Sequence, residues 1–234
     1  MEFLELGKGV VKRNERRVVG LFIDGTGLDR ATRRINKKVE IGKLVKGVTS
    51  GSLPVVARYY TLIPYEDDSR QRAFLDAIYN VGLDVVVKRL PPKGVTRQVS
   101  VDVEMAADIV AFAMGWQSFS DNSVYKAGEG SFTPQVGVTS FERIRMVNSP
   151  SAKVTSEPQT PKQSSDIKEK GSGIKEKRIV TIVCPSRDLS YPVSLVKEFG
   201  VDTIIADFGQ FNSDLLRAAA KWIDLSDSET IWRD

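Results

Sequence analysis

Short continuous apolar runs alternate along this chain with longer stretches in which apolar residues recur at every third or fourth position. VVGLFID (18–24) is an unbroken apolar run that stops at an aspartate, the pattern of a strand buried on both faces. Leu28–Val48 is predicted as a helix, and LPVVARYYTL (53–62) as a second strand. Asp68–Asn80 is predicted as a helix with Phe74, Leu75, Ile78 and Tyr79 on its apolar side, punctuated by Gly82. LDVVVKRL (83–90) supplies a third strand. Val101–Met114 supplies a third helix, with Val101, Met105, Ile109 and Phe112 in one stripe.

From Gly115 to Lys177 the periodicity lapses. SFERIRMV (140–147) has the length of a short strand or a turn of helix, and the run NSPSAKVTSEPQTPKQSSDIKEKGSGIKEK is rich in Ser, Pro, Lys, Glu and Gly. Such a run buries too little apolar surface to offset its ordering entropy, so it is predicted to be largely disordered. Its doubled IKEK (167–170 and 174–177) is low complexity and no structural repeat. Order resumes with strand RIVTIVC (178–184), helix Asp188–Phe199 closed by Gly200, strand VDTIIAD (201–207), helix Asn212–Lys221 and a last short strand, WIDL (222–225).

The predicted pattern is βαβαβα, insertion, βαβαβ. Alternating strands and helices build a mostly parallel sheet covered on both faces, an α/β fold with three α/β/α layers. Neither block has enough strands alone, so residues 17–114 and 178–227 are expected to form one domain interrupted by an insertion at 115–177. Tails at 1–16 and 228–234 flank it. Parallel sheets bind ligands beyond the carboxyl ends of their strands, where strand order reverses. With 18–24 central, that point lies between it and 178–184, and Asp24 and Asp188 would face one crevice.

Composition narrows the chemistry. The 234 residues contain no histidine and a single cysteine, Cys184. Imidazole-based triads, His-ligated metals, Cys-rich zinc sites and internal disulfides are therefore excluded. Cys184 ends a predicted buried strand with no histidine to activate it, so a structural thiol is expected. No apolar run approaches the roughly 20 residues that span a bilayer, and the N-terminus lacks the features of a secretory signal, so a cytoplasmic location and no membrane partner are expected. Net charge is only +4, but Arg30, Arg33, Arg34, Lys37, Lys38, Lys43 and Lys46 crowd one segment against a lone Glu40. Such a stripe suits a polyanion such as nucleic acid; a solvated helix face is the plainer reading. Tyr59 and Tyr60, in a central strand, are expected in the core rather than stacked on bases.

Acid chemistry then falls to carboxylates at strand ends and helix starts: Asp24, Asp102, Glu104, Asp108 and Asp188. Clustered like charges raise one another's pKa unless a cation neutralises them, and a hard divalent ion such as Mg²⁺ or Mn²⁺ does so with oxygen ligands alone. Capping is the competing explanation for Asp102. Asp108, set among Ala106, Ala107, Ile109 and Val110, needs a partner to justify its burial.

VVGLFIDGTGL (18–28), GLDVVVKRL (82–90) and VDVEMAADIVAFA (101–113) together resemble the NYN family, the LabA-like branch of the PIN-like nuclease superfamily. The family shows F-I-D-G-x-N-L, G-[YF]-x-V-x-x-K-x-L and K-G-V-D-V-x-L-A-x-D at these places, then S-G-D-x-D-F. CPSRDLSYPVSLVKEFG (184–200) lies over that last motif, and FNSDLLRAAAKWIDL (211–225) resembles the closing helix and strand. The resemblance implies a Rossmann-like domain that binds Mg²⁺ or Mn²⁺ and cleaves RNA, single-stranded by expectation. It implies catalytic roles for Asp24, Asp102, Asp108 and Asp188, with Asp24, Asp108 and Asp188 as metal ligands. Arg30, Arg33 and Arg34, just past the Asp24 loop, are candidate substrate contacts, as is Ser186. Two departures stand out: Gly27 occupies the place of the family asparagine, and Ser186 that of the first aspartate of S-G-D-x-D.

A haloacid dehalogenase-type phosphatase shares the D-G-T of Asp24-Gly25-Thr26, but its nucleophilic aspartate would fall on Phe22. The stronger rival is a catalytically weakened NYN domain that binds RNA or a protein. The insertion would then serve as the docking segment for a protein partner or a second copy.

Overall fold

A computed structural model of the chain describes residues 15–65, 69–117, 119, 125, 175–209, 213–226 and 229–233. The first apolar run forms β1 (Glu15–Asp24), followed by α1 (Gly25–Arg34) and α2 (Ile41–Val48). Then come β2 (Val56–Ile63), α3 (Ser69–Asn80), β3 (Asp84–Arg89) and α4 (Asp102–Ala113). The second block supplies β4 (Lys175–Val183), a 3₁₀ turn (Arg187–Leu189), α5 (Ser190–Glu198), β5 (Asp202–Asp207), α6 (Ser213–Ala218) and β6 (Lys221–Asp224).

The six strands form one sheet in the order β3-β2-β1-β4-β5-β6, and every neighbouring pair is parallel. This is the expected α/β architecture, with three strands from each block. β1 and β4 meet at the centre, pairing Ile23 with Val183, and this is where chain direction across the sheet reverses. Both strands also extend several residues earlier than their apolar cores. Arg16 and Glu176 meet at 3.8 Å there, and Lys177 reaches Asp202 at 2.7 Å.

Alternation along the strands sorts the core into two layers. Leu21, Ile23, Tyr59, Val85 and Val183 pack beneath α1, α2 and α3. Phe22, Tyr60, Val86, Ile182 and Ile205 pack beneath α4, α5 and α6. Tyr59 and Tyr60 are both buried, as expected of a central strand. Gly20 interrupts the β1 pattern for a steric reason: a Cβ there would lie 2.8 Å from the Phe112 ring, which α4 lays against the strand.

The predicted helix Leu28–Val48 is two helices. Asn36 adopts a left-handed conformation (φ 51°), and Val39 forms a β-bridge with Trp232. Glu40 then caps α2, accepting from the Gly42 and Lys43 amides at 2.9 Å each. The basic stripe is thereby divided between α1, the connecting loop and α2. The predicted helix Asn212–Lys221 ends at Ala218, and Lys221 begins β6. Most of the predicted insertion, including SFERIRMV, lies outside the described residues. No helix among the described residues is long and apolar enough to cross a membrane.

Candidate active site

Because all strands run the same way, their carboxyl ends and the helices that follow them share one edge of the sheet. Asp24 is the last residue of β1 and the N-cap of α1. Its Oδ1 accepts from the Thr26 amide at 3.0 Å and from the Gly27 amide at 2.9 Å. The carboxylate is only 5% exposed. Burial pushes its pKa up to about 6. The two amides oppose that rise and the nearby Asp102 charge reinforces it, while Arg30 pulls the other way.

Gly27 explains itself at this point. A Cβ would lie 2.3 Å from the Cys184 carbonyl oxygen and 2.9 Å from Asp24 Oδ2. Cys184 is left-handed (φ 52°), and its peptide fills the place where a side chain would begin. An asparagine therefore does not fit here without moving the turn after β4. Gly27→Ala is expected to cost about 1–3 kcal/mol by overpacking, read from the urea midpoint with an unchanged m-value; an unaltered midpoint would refute the close approach.

Asp102 opens α4 opposite this cap. The Ser186 hydroxyl, from the turn after β4, donates to its Oδ1 at 2.7 Å. The Ser100 hydroxyl donates to Oδ2, and the Asp102 amide returns a bond to Ser100 Oγ at 3.0 Å. Lys88, at the end of β3, braces this approach: its ammonium donates to the Ser100 carbonyl and pairs with Glu104, each at 2.7 Å. Ser186 thus stands where an acid is expected and orients one instead.

Asp108 is held elsewhere. It lies six residues along α4 from Asp102, about 9 Å of helix rise. There it pairs with Arg58 of β2 and accepts from the Tyr60 hydroxyl at 2.6 Å. Asp188 sits exposed in the 3₁₀ turn, two residues beyond Ser186. The structure thus brings together Asp24, Asp102 and Ser186, leaves Asp188 on the rim, and engages Asp108 deep in the α4–sheet layer.

The arginines also separate. Arg30 is exposed on α1 and close enough for its charge to act on Asp24. Arg33 pairs with Asp29 at 3.0 Å on the surface. Arg34 turns back to the sheet and donates to the Phe208 carbonyl at 3.1 Å.

Residues outside the sequence-based set also belong to this edge. Lys88 and Ser100 are the supports of Asp102; Lys88 lies within the G-x-x-V-x-x-K-x-L strand pattern, which marks its place but not its task. Asp207 ends β5 as Asp24 ends β1, so the strand-end rule that selected Asp24 also selects it. Burial raises its carboxyl, and it receives a hydrogen bond from the Cys184 thiol. Burial in turn pushes the Cys184 thiol well above its ordinary pKa. Cys184 is expected to resist iodoacetamide at pH 8 in the native protein and to react on unfolding. Labelling at equal rates with and without denaturant would contradict this.

Among the described residues, no group of three or more His, Cys, Asp or Glu side chains is placed to hold a metal ion. Mg²⁺, however, keeps several waters and takes only one or two carboxylates from a protein. Asp24 and Asp102 are two carboxylates whose charges repel. Asp24 accepts both its cap bonds on Oδ1, which leaves Oδ2 out of the α1 cap. This donor set fits a hard, partly hydrated divalent ion.

The family model described as NYN domain matches residues 18–167. The match covers well over half of the chain, from β1 through α4, and ends before β4. No curated protein and no solved structure gives a match.

Proposed function

Because the chain belongs to the NYN domain family, we propose that it is a metal-dependent ribonuclease with Asp24 and Asp102 at its centre. The observation that carries this reading is the convergence of two fixed, mutually repelling carboxylates at the β1–β4 switch point. A carboxylate held 5% exposed against a like charge costs stability, and a divalent ion repays that cost.

When bound, Mg²⁺ or Mn²⁺ polarises a phosphoryl oxygen and lowers the pKa of a coordinated water. The chain's own residues prepare the site. The Thr26 and Gly27 amides lock Asp24 Oδ1, so that Oδ2 is the oxygen outside the α1 cap. Ser100 and Ser186 fix both oxygens of Asp102. Lys88 holds the Ser100 backbone and so the entry to α4. Arg30 brings a positive charge beside the carboxylates, where a phosphate would approach. Asp188, exposed in the turn after Ser186, is the remaining acid of the proposed set and would act through a water. Asp108 serves this centre indirectly, by anchoring α4 to β2 through Arg58.

Labelled RNA incubated with Mg²⁺ or Mn²⁺ is expected to be cleaved, and EDTA to abolish cleavage. The neutral Ser186 in place of an acid favours one rival, a domain that binds RNA without cutting it. That reading predicts RNA affinity that survives EDTA and no cleavage with either metal.

A further inference from the structure

Beside Asp24, a cleft of about 500 Å³ opens between α1 and α3. Its near end is Gly25 and Thr26, the residues that immediately follow the Asp24 cap. Its floor is Tyr59, Thr61 and Ile63 of β2. A second cleft of about 440 Å³ shares Asp29, Arg33, Tyr59 and Phe74 with it and continues along α1 to Lys37, Lys38 and Arg233. The charged residues lining the two are Arg33, Lys37, Lys38, Arg70 and Arg233 against Asp29 alone. In the shared wall stands Phe74, a ring 48% exposed, meeting the buried Tyr59 ring edge-on at 6.1 Å.

On a helix otherwise packed by Leu75 and Ile78, this exposed ring is an apolar surface that none of the described residues covers fully. Set in a channel lined by five cations and one acid, it matches a ligand that alternates flat rings with negative charges. We infer that this channel is the path of a single RNA strand leaving the Asp24 centre, with one unpaired base stacked on Phe74. The adjoining phosphates lie along Arg33 and Arg70, then Lys37 and Lys38. The cleft volume suits one nucleotide and not a duplex, whose paired bases present no free face. The inference rests on the ribonuclease reading and adds where the strand is gripped: on Phe74 and the basic wall beside the cleavage point.

The test measures binding apart from cleavage. Asp24→Asn protein, in EDTA, is titrated with a fluorescein-labelled single-stranded RNA carrying 2-aminopurine and with a hairpin of the same length. Tight binding of the single strand with altered 2-aminopurine emission, and binding at least tenfold weaker to the hairpin stem, is expected. Phe74→Leu keeps apolar bulk but removes the ring, and should weaken single-strand binding roughly 5- to 100-fold. Phe74→Trp should restore it. Arg70→Gln, on the exposed side of α3, should weaken binding and lower its salt dependence. Circular dichroism melts check that each variant is folded. Equal binding by Phe74→Leu and wild-type side chains, or equal affinity for stem and single strand, would overturn the channel while leaving metal-dependent cleavage intact. Loss of cleavage in wild-type protein with no RNA binding at all would instead overturn the ribonuclease reading, and the channel with it.

Discussion

Replacing Arg58 by methionine is expected to destabilise the domain by about 3 kcal/mol, lowering the melting midpoint by roughly 10 °C. Arg58 is 1% exposed and lies on β2 beneath α4, with its guanidinium on Asp108 and over the Phe119 ring at 5.0 Å. Removing the cation leaves the Asp108 carboxylate half-buried against an apolar layer without its Arg58 ion pair, though the Tyr60 hydroxyl still donates to it. A buried charge stripped of its partner costs several kcal/mol, more than the intact pair contributes. Asp108→Leu should be comparably harmful, because it strands the guanidinium. The double variant Arg58→Met, Asp108→Leu should recover most of the loss, since an apolar pair of similar volume fits this layer. Urea denaturation of the four proteins gives the coupling directly. Additive losses in the double variant would show that the two residues do not act as a pair.

Asp24→Asn is expected to abolish metal-dependent cleavage, by roughly 100-fold or more, while making the metal-free domain more stable. Asparagine retains an oxygen to accept the Thr26 and Gly27 amides, so the α1 cap survives. What it removes is the buried charge. Asp24 titrates near 6 in the folded chain, against an ordinary 3.8. Its ionisation is thus disfavoured by folding. The cost is absent below about pH 4, grows as pH rises, and is complete above about pH 6, where it reaches about 2–3 kcal/mol. Wild-type stability should therefore fall relative to Asp24→Asn across that window. Added Mg²⁺ should raise the wild-type melting temperature and leave the variant unmoved. A variant that is less stable at pH 7.5, or equally protected by Mg²⁺, would contradict this account.

The sheet was legible because its signal is repeated. Six apolar runs of strand length, each separated by a helix or punctuated by glycine, leave little choice but a parallel α/β sheet. The β1–β4 junction followed from placing the most apolar run at the centre. The boundary between α1 and α2 was not legible, because Leu28–Val48 keeps helical spacing through a break made by Asn36 and by the Val39–Trp232 bridge. That bridge joins residues nearly two hundred positions apart.

The site was legible in part. Asp24 and Asp102 stand out because strand ends and helix starts meet at one edge. Asp108 was marked as needing a partner, and the fold sets the Arg58 guanidinium and the Tyr60 hydroxyl against it. The clue lay in β2, where Arg58 is the single cation in an otherwise uncharged strand. A buried cation and a buried anion in separate elements are candidates for each other before either is assigned to a ligand. Ser186 could not be read as a support for Asp102, since the contact crosses 84 positions. Gly27 likewise acquires its reason only once the turn at Cys184 is brought against α1.

The central claim is that Asp24 and Asp102, and not Asp108, form the hydrolytic centre. Single-turnover cleavage of a single-stranded RNA in saturating Mn²⁺, measured for wild type, Asp24→Asn, Asp102→Asn and Asp108→Asn below the melting point of each, tests it most directly. The account predicts that the first two variants fall to the EDTA background. It predicts that Asp108→Asn, which keeps oxygen contacts to Arg58 and Tyr60, stays within about tenfold of wild type. Full activity in Asp102→Asn, or an Asp108→Asn variant that is folded and as inactive as Asp24→Asn, would contradict it.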